Sequence, residues 1–137
     1  MKKIIVVVED MPQEREIAKK RVEALNFIPI MASNLSDGLR LIEKFKDKLY
    51  AVVTDLHFPS MSNNDKDKDK PNGLAVISFC VQYNIRVAVC SNVDGHFANY
   101  IRHPLKVLEA HQFYSHNEIP LSIRKEWHDV INEVINL

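Results

Sequence analysis

"KIIVVVED", residues 3–10, sets an unbroken run of β-branched residues directly before two acids. A strand with one face in water alternates apolar and polar positions. A continuous Ile/Val run is instead what a strand covered on both faces requires, and such strands belong to parallel sheets sandwiched between helices. The fold then depends on whether helical patterns alternate with further strands of the same kind.

The alternation continues to the end of the chain. Pro12 sits just inside a helical start, and Ile17, Ala18, Val22 and Leu25 recur on one face. "FIPIM" (27–31) reads as a second strand whose Pro29 argues for a sheet edge. Leu35, Leu39, Ile42 and Phe45 make the next helical stripe, "YAVVT" (50–54) the third strand, Leu74, Ile77 and Val81 the third helix, and "RVAVC" (86–90) the fourth strand. Phe97, Ile101, Leu105 and Leu108 keep helical spacing, with Pro104 expected to break or kink that segment near Arg102. "HQFYS" (111–115) reads as a weak fifth strand, and Ile123, Trp127, Val130, Ile131, Val134 and Ile135 as the last amphipathic helix. Five strands alternating with five helices predict an α/β fold, a parallel sheet with helices on both faces joined by right-handed crossovers.

Composition narrows the function classes. A length of 137 residues suits one domain, 1–137, and leaves no room for an appended output domain. With 18 basic and 18 acidic residues, no broad attraction to nucleic acid or an anionic membrane is expected. Cys80 and Cys90 lie in apolar runs without a C-x-x-C pair, which predicts reduced core thiols in a cytoplasmic protein. The basic N-terminus precedes only five apolar residues and then two acids, which suits a strand better than a signal peptide, and no run reaches membrane length. Gly38, Gly73 and Gly95 form no phosphate-cradling loop. The alternating aspartates of "NNDKDKDKPNG" (63–73) fail as a calcium loop, because counting from Asp65 puts Lys70 at the sixth position and Val76 at the twelfth. A solvated, mobile loop is the expectation for 62–72.

The chemistry gathers at one rim. In open parallel sheets ligands bind beyond the carboxyl ends of the strands, where the strand order reverses. Glu9 and Asp10 follow the first strand and Asp55 the third, so all three acids are expected on that rim. Converging carboxylates repel one another unless a cation lies among them, and hard oxygen donors without cysteine suit Mg²⁺. A transition-metal site that adds His57 and His116 is a weaker reading of the same cluster.

These residues resemble the receiver domain of two-component response regulators. The likeness runs from Lys3 to about Asn136 and rests on four motifs: the acidic pair of "VVVED", the aspartate of "VVTDLHFP", the Gly-Leu of "PNGLAVI" and the hydroxyl of "VAVCSN". It implies a flavodoxin-like (βα)5 three-layer sandwich with strand order 2-1-3-4-5. It implies further that Asp55 accepts a phosphoryl group from a histidine kinase or phosphotransfer protein, and that Ser91 binds a phosphoryl oxygen. Mg²⁺ would be held by Asp10, Asp55 and the backbone carbonyl of His57, with Glu9 acting through water. Ser91 and Phe113 would form the switch pair, and a downstream protein would dock on the face of helix four, strand five and helix five. Self-dephosphorylation is the only enzymatic step expected.

One departure stands out. The family expects a lysine, usually followed by proline, at the end of strand five, and aligning "EAHQFYSHN" on that motif puts His116 in its place. Asn92 also replaces the very small residue usual after the hydroxyl. An absent lysine supports an alternative, a pseudo-receiver that binds partners but no longer switches. A Mg²⁺-dependent phosphohydrolase is the weakest reading, since no general acid follows Asp55 at the spacing such enzymes use.

Overall fold

The computed structural model describes residues 3–62, 65–93, 95–112 and 118–137, with the backbone alone at 65 and 95–99. Its elements are β1 (Ile4–Val8), α1 (Pro12–Ala24), β2 (Ile28–Ala32), α2 (Leu35–Phe45), β3 (Leu49–Thr54), a 3-10 turn (Asp65–Asp67), α3 (Gly73–Gln82), β4 (Arg86–Cys90), α4 (Gly95–Glu109), β5 (Leu121–Ser122) and α5 (Trp127–Ile135). All strands are parallel, in the order β2-β1-β3-β4-β5. This is the expected flavodoxin-like sandwich, with Pro29 on an edge strand where its missing N–H costs no ladder bond.

The unbroken run of β1 follows from its two-sided burial. Ile4, Val6 and Val8 join Val52, Val87 and Val89 in a core completed by α2, α3 and α4. Ile5 and Val7 join Ala51, Val53, Ala88 and Cys90 in a second core completed by Ala18 and Val22 of α1 and by Trp127, Val130, Ile131 and Val134 of α5. Successive side chains of a strand face opposite sides, so both parities must be apolar. Each such side chain contributes about 1.5–3 kcal/mol by burial. Register then sets the rim, because Val8 pairs with Ala32 on one side and Thr54 on the other, and the residues that follow leave the sheet at one level.

Four sequence expectations are corrected. The helix α4 runs unbroken through Pro104, because Ile101 and Leu105, buried on either side of it, anchor both halves to the core at the cost of one backbone hydrogen bond. Strand five is not at "HQFYS" but at Leu121–Ser122, paired with Val89 and Cys90 of β4. Ile119, fully buried, leads into it, its N–H donating to Glu109 (2.9 Å) and its carbonyl accepting from Arg102 (3.2 Å). Ile123 belongs to the connection before α5, which starts at Trp127, and Ile17 of α1 is half exposed while Ala18 and Val22 face the core. Cys80, Cys90 and Trp127 are core residues, as read from the sequence. No helix among the described residues is long and apolar enough to cross a membrane.

Candidate functional site

Glu9, Asp10 and Asp55 converge beyond the ends of β1 and β3, each offering an oxygen within 4.8 Å of the others. Backbone geometry sets them there. The Asp55 N–H donates to the Val8 carbonyl (2.8 Å) and the Glu9 N–H to the Ala32 carbonyl (2.9 Å), which prolongs the sheet pairing by one residue past the strands. Arg15 of α1 donates to the carbonyls of Glu9 (3.0 Å) and Asp10 (2.8 Å) and locks the turn between β1 and α1. After Asp55 the chain passes under α3, where the Gly73 N–H donates to the Leu56 carbonyl (2.9 Å). A Cβ on Gly73 would press on the Asp55 carbonyl and stand 2.8 Å from the Leu56 Cα, so this position requires glycine for the close approach.

The acids are not equivalent. Glu9 is fully buried; its Oε1 accepts from the Met11 N–H (3.1 Å), and its Oε2 is buried without a hydrogen-bond partner among the described residues. Burial, and then the charge of Asp55, push the Glu9 carboxyl up to about 8 against the opposing pull of Lys125. The Asp10 carboxyl is also raised, first by burial and then by Asp55. Asp55 Oδ1 accepts from the Leu56 N–H at 2.6 Å.

Among the described residues, the cation in contact with these carboxylates is Lys125, which the sequence reading missed. Its ammonium lies 2.8 Å from Glu9 Oε1 and 3.3 Å from Asp55 Oδ2. Burial alone would lower its pKa, but the hydrogen bond to Glu9 and the charges of Asp55 and Glu9 outweigh that and raise it. Lys125 adopts a left-handed backbone conformation (φ 52°), a strain of about 1–2 kcal/mol for a residue with a Cβ. Its N–H, donating to the Ser91 carbonyl (3.1 Å), and its two carboxylate contacts hold it there. The expectation that no lysine serves this site is thereby corrected. The residue stands three positions past the end of β5 and is followed by Glu126 rather than proline. Both Phe113 and His116, the expected switch aromatic and lysine substitute, lie outside the described residues.

Ser91, buried at the end of β4, lines a cavity of about 400 Å³ together with Asp10, Asp55, His57, Asn92 and Lys125. Lys68 and Asp69 of the β3–α3 loop complete its wall. The described part of that loop, 65–72, is tied back by hydrogen bonds at Asp67 and Asn72. The buried Asp67 carboxylate accepts from the Ser60 N–H with both oxygens (3.2 Å each), and Asn72 donates to the Phe58 carbonyl (2.7 Å) and Ser60 Oγ (3.2 Å). A larger groove of about 700 Å³ between α1 and α5 has Ile17, Trp127, Glu126 and Asp129 in its wall; among the described residues the converging acids lie elsewhere, and Asp10 and Asp55 of that group line the smaller cavity, which is the candidate site.

The donor set fits a hard divalent cation. Three carboxylates supply oxygen ligands only, and the unpartnered Glu9 Oε2 is a buried acceptor lacking a donor or ion.

No family model and no curated protein matches the sequence. Solved structures do match over nearly the whole chain. A response regulator receiver domain protein from Clostridium thermocellum has a TM-score of 0.66 at 19% identity, covering 98% of this chain and 94% of its own. The chemotaxis response regulator CheY4 of Vibrio cholerae has a TM-score of 0.67 at 10% identity, over 98% and 99% of the two chains. A LuxR-family DNA-binding response regulator from Staphylococcus aureus has a TM-score of 0.66 at 20% identity over the same shares. The chain therefore has the fold of response regulator receiver domains.

Proposed function

We propose that the protein is a response regulator receiver that accepts a phosphoryl group on Asp55 from a phosphohistidine of a kinase or phosphotransfer protein. The observation that carries this reading is the convergence of Asp10, Asp55, Ser91 and Lys125 on one cavity of a receiver fold, with the Glu9 carboxylate buried beside Asp10, Asp55 and Lys125. Asp55 is the nucleophile: a bond forms between its carboxylate oxygen and phosphorus as the P–N bond breaks. The imidazole leaves as a neutral ring, its other nitrogen carrying the proton. Phosphoryl transfer asks little covalent help of a protein and much positioning of charge. The Leu56 N–H fixes Asp55 Oδ1, while Lys125 and the Ser91 hydroxyl face the same space and serve the phosphoryl oxygens.

Glu9, Asp10 and Asp55 would hold Mg²⁺, with the His57 carbonyl as a further oxygen donor; when bound, the ion neutralises charge on the phosphoryl oxygens. The pseudo-receiver alternative rested on an absent lysine, and Lys125 removes that support. Partners are the phosphohistidine donor and a downstream protein on the α4–β5–α5 face. Incubation with acetyl phosphate and Mg²⁺ tests the reading by intact mass. The protein should gain one phosphoryl group that strong base removes, and Asp55→Asn should gain none. An unlabelled protein that still binds Mg²⁺ would overturn the reading.

A further inference from the structure

The loop between β3 and α3 brings its own charges to the phosphoryl cavity. Its alternating lysines and aspartates would be solvated noise if the backbone were unconstrained, but two anchors constrain it. Asp67 is buried against the Ser60 N–H, and Asn72 bridges back to Phe58 and Ser60. A further tie, from the Lys70 N–H to the Asp67 carbonyl (3.1 Å), closes the turn that presents Lys68 and Asp69. Both residues are exposed to solvent and both line the cavity that holds Asp55 and Lys125.

The charge balance gives these two residues a purpose. A divalent ion together with Lys125 would match the three carboxylates Glu9, Asp10 and Asp55 once Glu9 is ionised. A phosphodonor is itself an anion, so charges on the cavity wall beyond the three carboxylates and Lys125 bear on its approach. Lys68 is the remaining lysine on the cavity wall, and Asp69 beside it works in the opposite sense.

We infer that Lys68 is an electrostatic binding residue for the anionic phosphodonor, with Asp69 as its counterweight, so that the loop sets which phosphodonors the site admits. This rests on the phosphoacceptor reading of Asp55. It also makes a signed claim that a merely structural loop would not meet: the two neighbours must act in opposite directions.

The test is the rate of Asp55 phosphorylation by acetyl phosphate, a dianion near neutral pH, followed by intact mass at saturating Mg²⁺. Lys68→Ala should slow labelling by roughly fivefold at low donor concentration, as expected for loss of a solvent-exposed ion pair. Lys68→Arg should keep the wild-type rate, and Asp69→Asn should speed labelling. Both Lys68→Ala and Asp69→Asn effects should shrink as salt rises, because the charges are exposed and screened. An unlabelled wild type would overturn the Asp55 reading and this inference with it. A labelled wild type matched by Lys68→Ala, or Lys68→Ala and Asp69→Asn changes of the same sign, would overturn the role of Lys68 alone.

Discussion

Glu9 makes the metal-free protein less stable as pH rises, and the structure gives both the sign and the size. Its carboxyl is fully buried and pushed from an ordinary 4.5 up to about 8, first by desolvation and then by Asp55. A carboxyl whose folded pKa is raised contributes stability that is complete below the unfolded value and lost as pH climbs through the folded one. The window is therefore about 4.5 to 8. At roughly 1.4 kcal/mol per pH unit of separation, the ceiling is about 5 kcal/mol. Lys125, 2.8 Å away, holds an ionised Glu9 in place, so the working expectation is the cost of one buried unpartnered oxygen, about 2–3 kcal/mol. Asp10, also raised, adds in the same direction.

Urea unfolding from pH 5 to pH 8, with a chelator present, measures this directly. Wild-type stability should fall across the window. Glu9→Gln keeps an acceptor for the Met11 N–H and Lys125 but cannot ionise, so its profile should be much flatter. Groups common to both proteins cancel in the comparison. Parallel profiles for the two proteins, or a wild type that gains stability towards pH 8, would refute the assignment of Glu9 as a buried carboxyl of raised pKa.

Three further outcomes follow from the same geometry. Mg²⁺ should raise the melting temperature by linkage, and more at pH 8 than at pH 6 because binding must displace the Glu9 proton; Asp10→Asn should remove most of the gain in a thermal melt. Lys125→Ala should lower metal-free stability yet tighten Mg²⁺ binding by calorimetry, since the ammonium occupies Glu9 Oε1 and Asp55 Oδ2 and repels a second cation; weaker Mg²⁺ binding would count against that competition. Gly73→Ala should cost about 1–3 kcal/mol in chemical unfolding, because the added methyl meets backbone of Asp55 and Leu56 that no rotamer change can move aside.

The parts of the fold legible in the sequence are those where a physical requirement leaves a run of residues. β1, β3 and β4 are buried on both faces and are apolar but for Arg86 at the start of β4 and Tyr50 and Thr54 in β3, so their ends, and the acids just past β1 and β3, can be read directly. β5 leaves no such trace. It is two residues long, half-buried, and joined to its single neighbour β4 by two ladder pairs, while an aromatic-rich segment earlier in the chain resembles a strand more closely. The anchor at Asp67 was hidden for a related reason, since Asp67 differs from Asp69 only in which carboxylate finds the Ser60 N–H.

The lysine was hidden because its position is set by a turn rather than by a strand end. A search that demands strand, lysine and proline in succession passes over "SIRKEW" (122–127), where Lys125 comes three residues late. The lateness is absorbed by the backbone. An Asn92–Arg124 bridge carries the chain beyond β5, and the left-handed turn at Lys125 then lets its N–H reach the Ser91 carbonyl while its side chain reaches Glu9 and Asp55. Burying Trp127 in the next turn of chain, with its indole N–H on Glu14 of α1 (2.7 Å), fixes the start of α5 and so holds that turn from the other side. The ammonium therefore depends on the packing of α5 against α1. The spacing of a strand motif does not contain that information, and the short apolar step from Ile119 through Leu121 into an amphipathic helix was the signal that could have pointed to it.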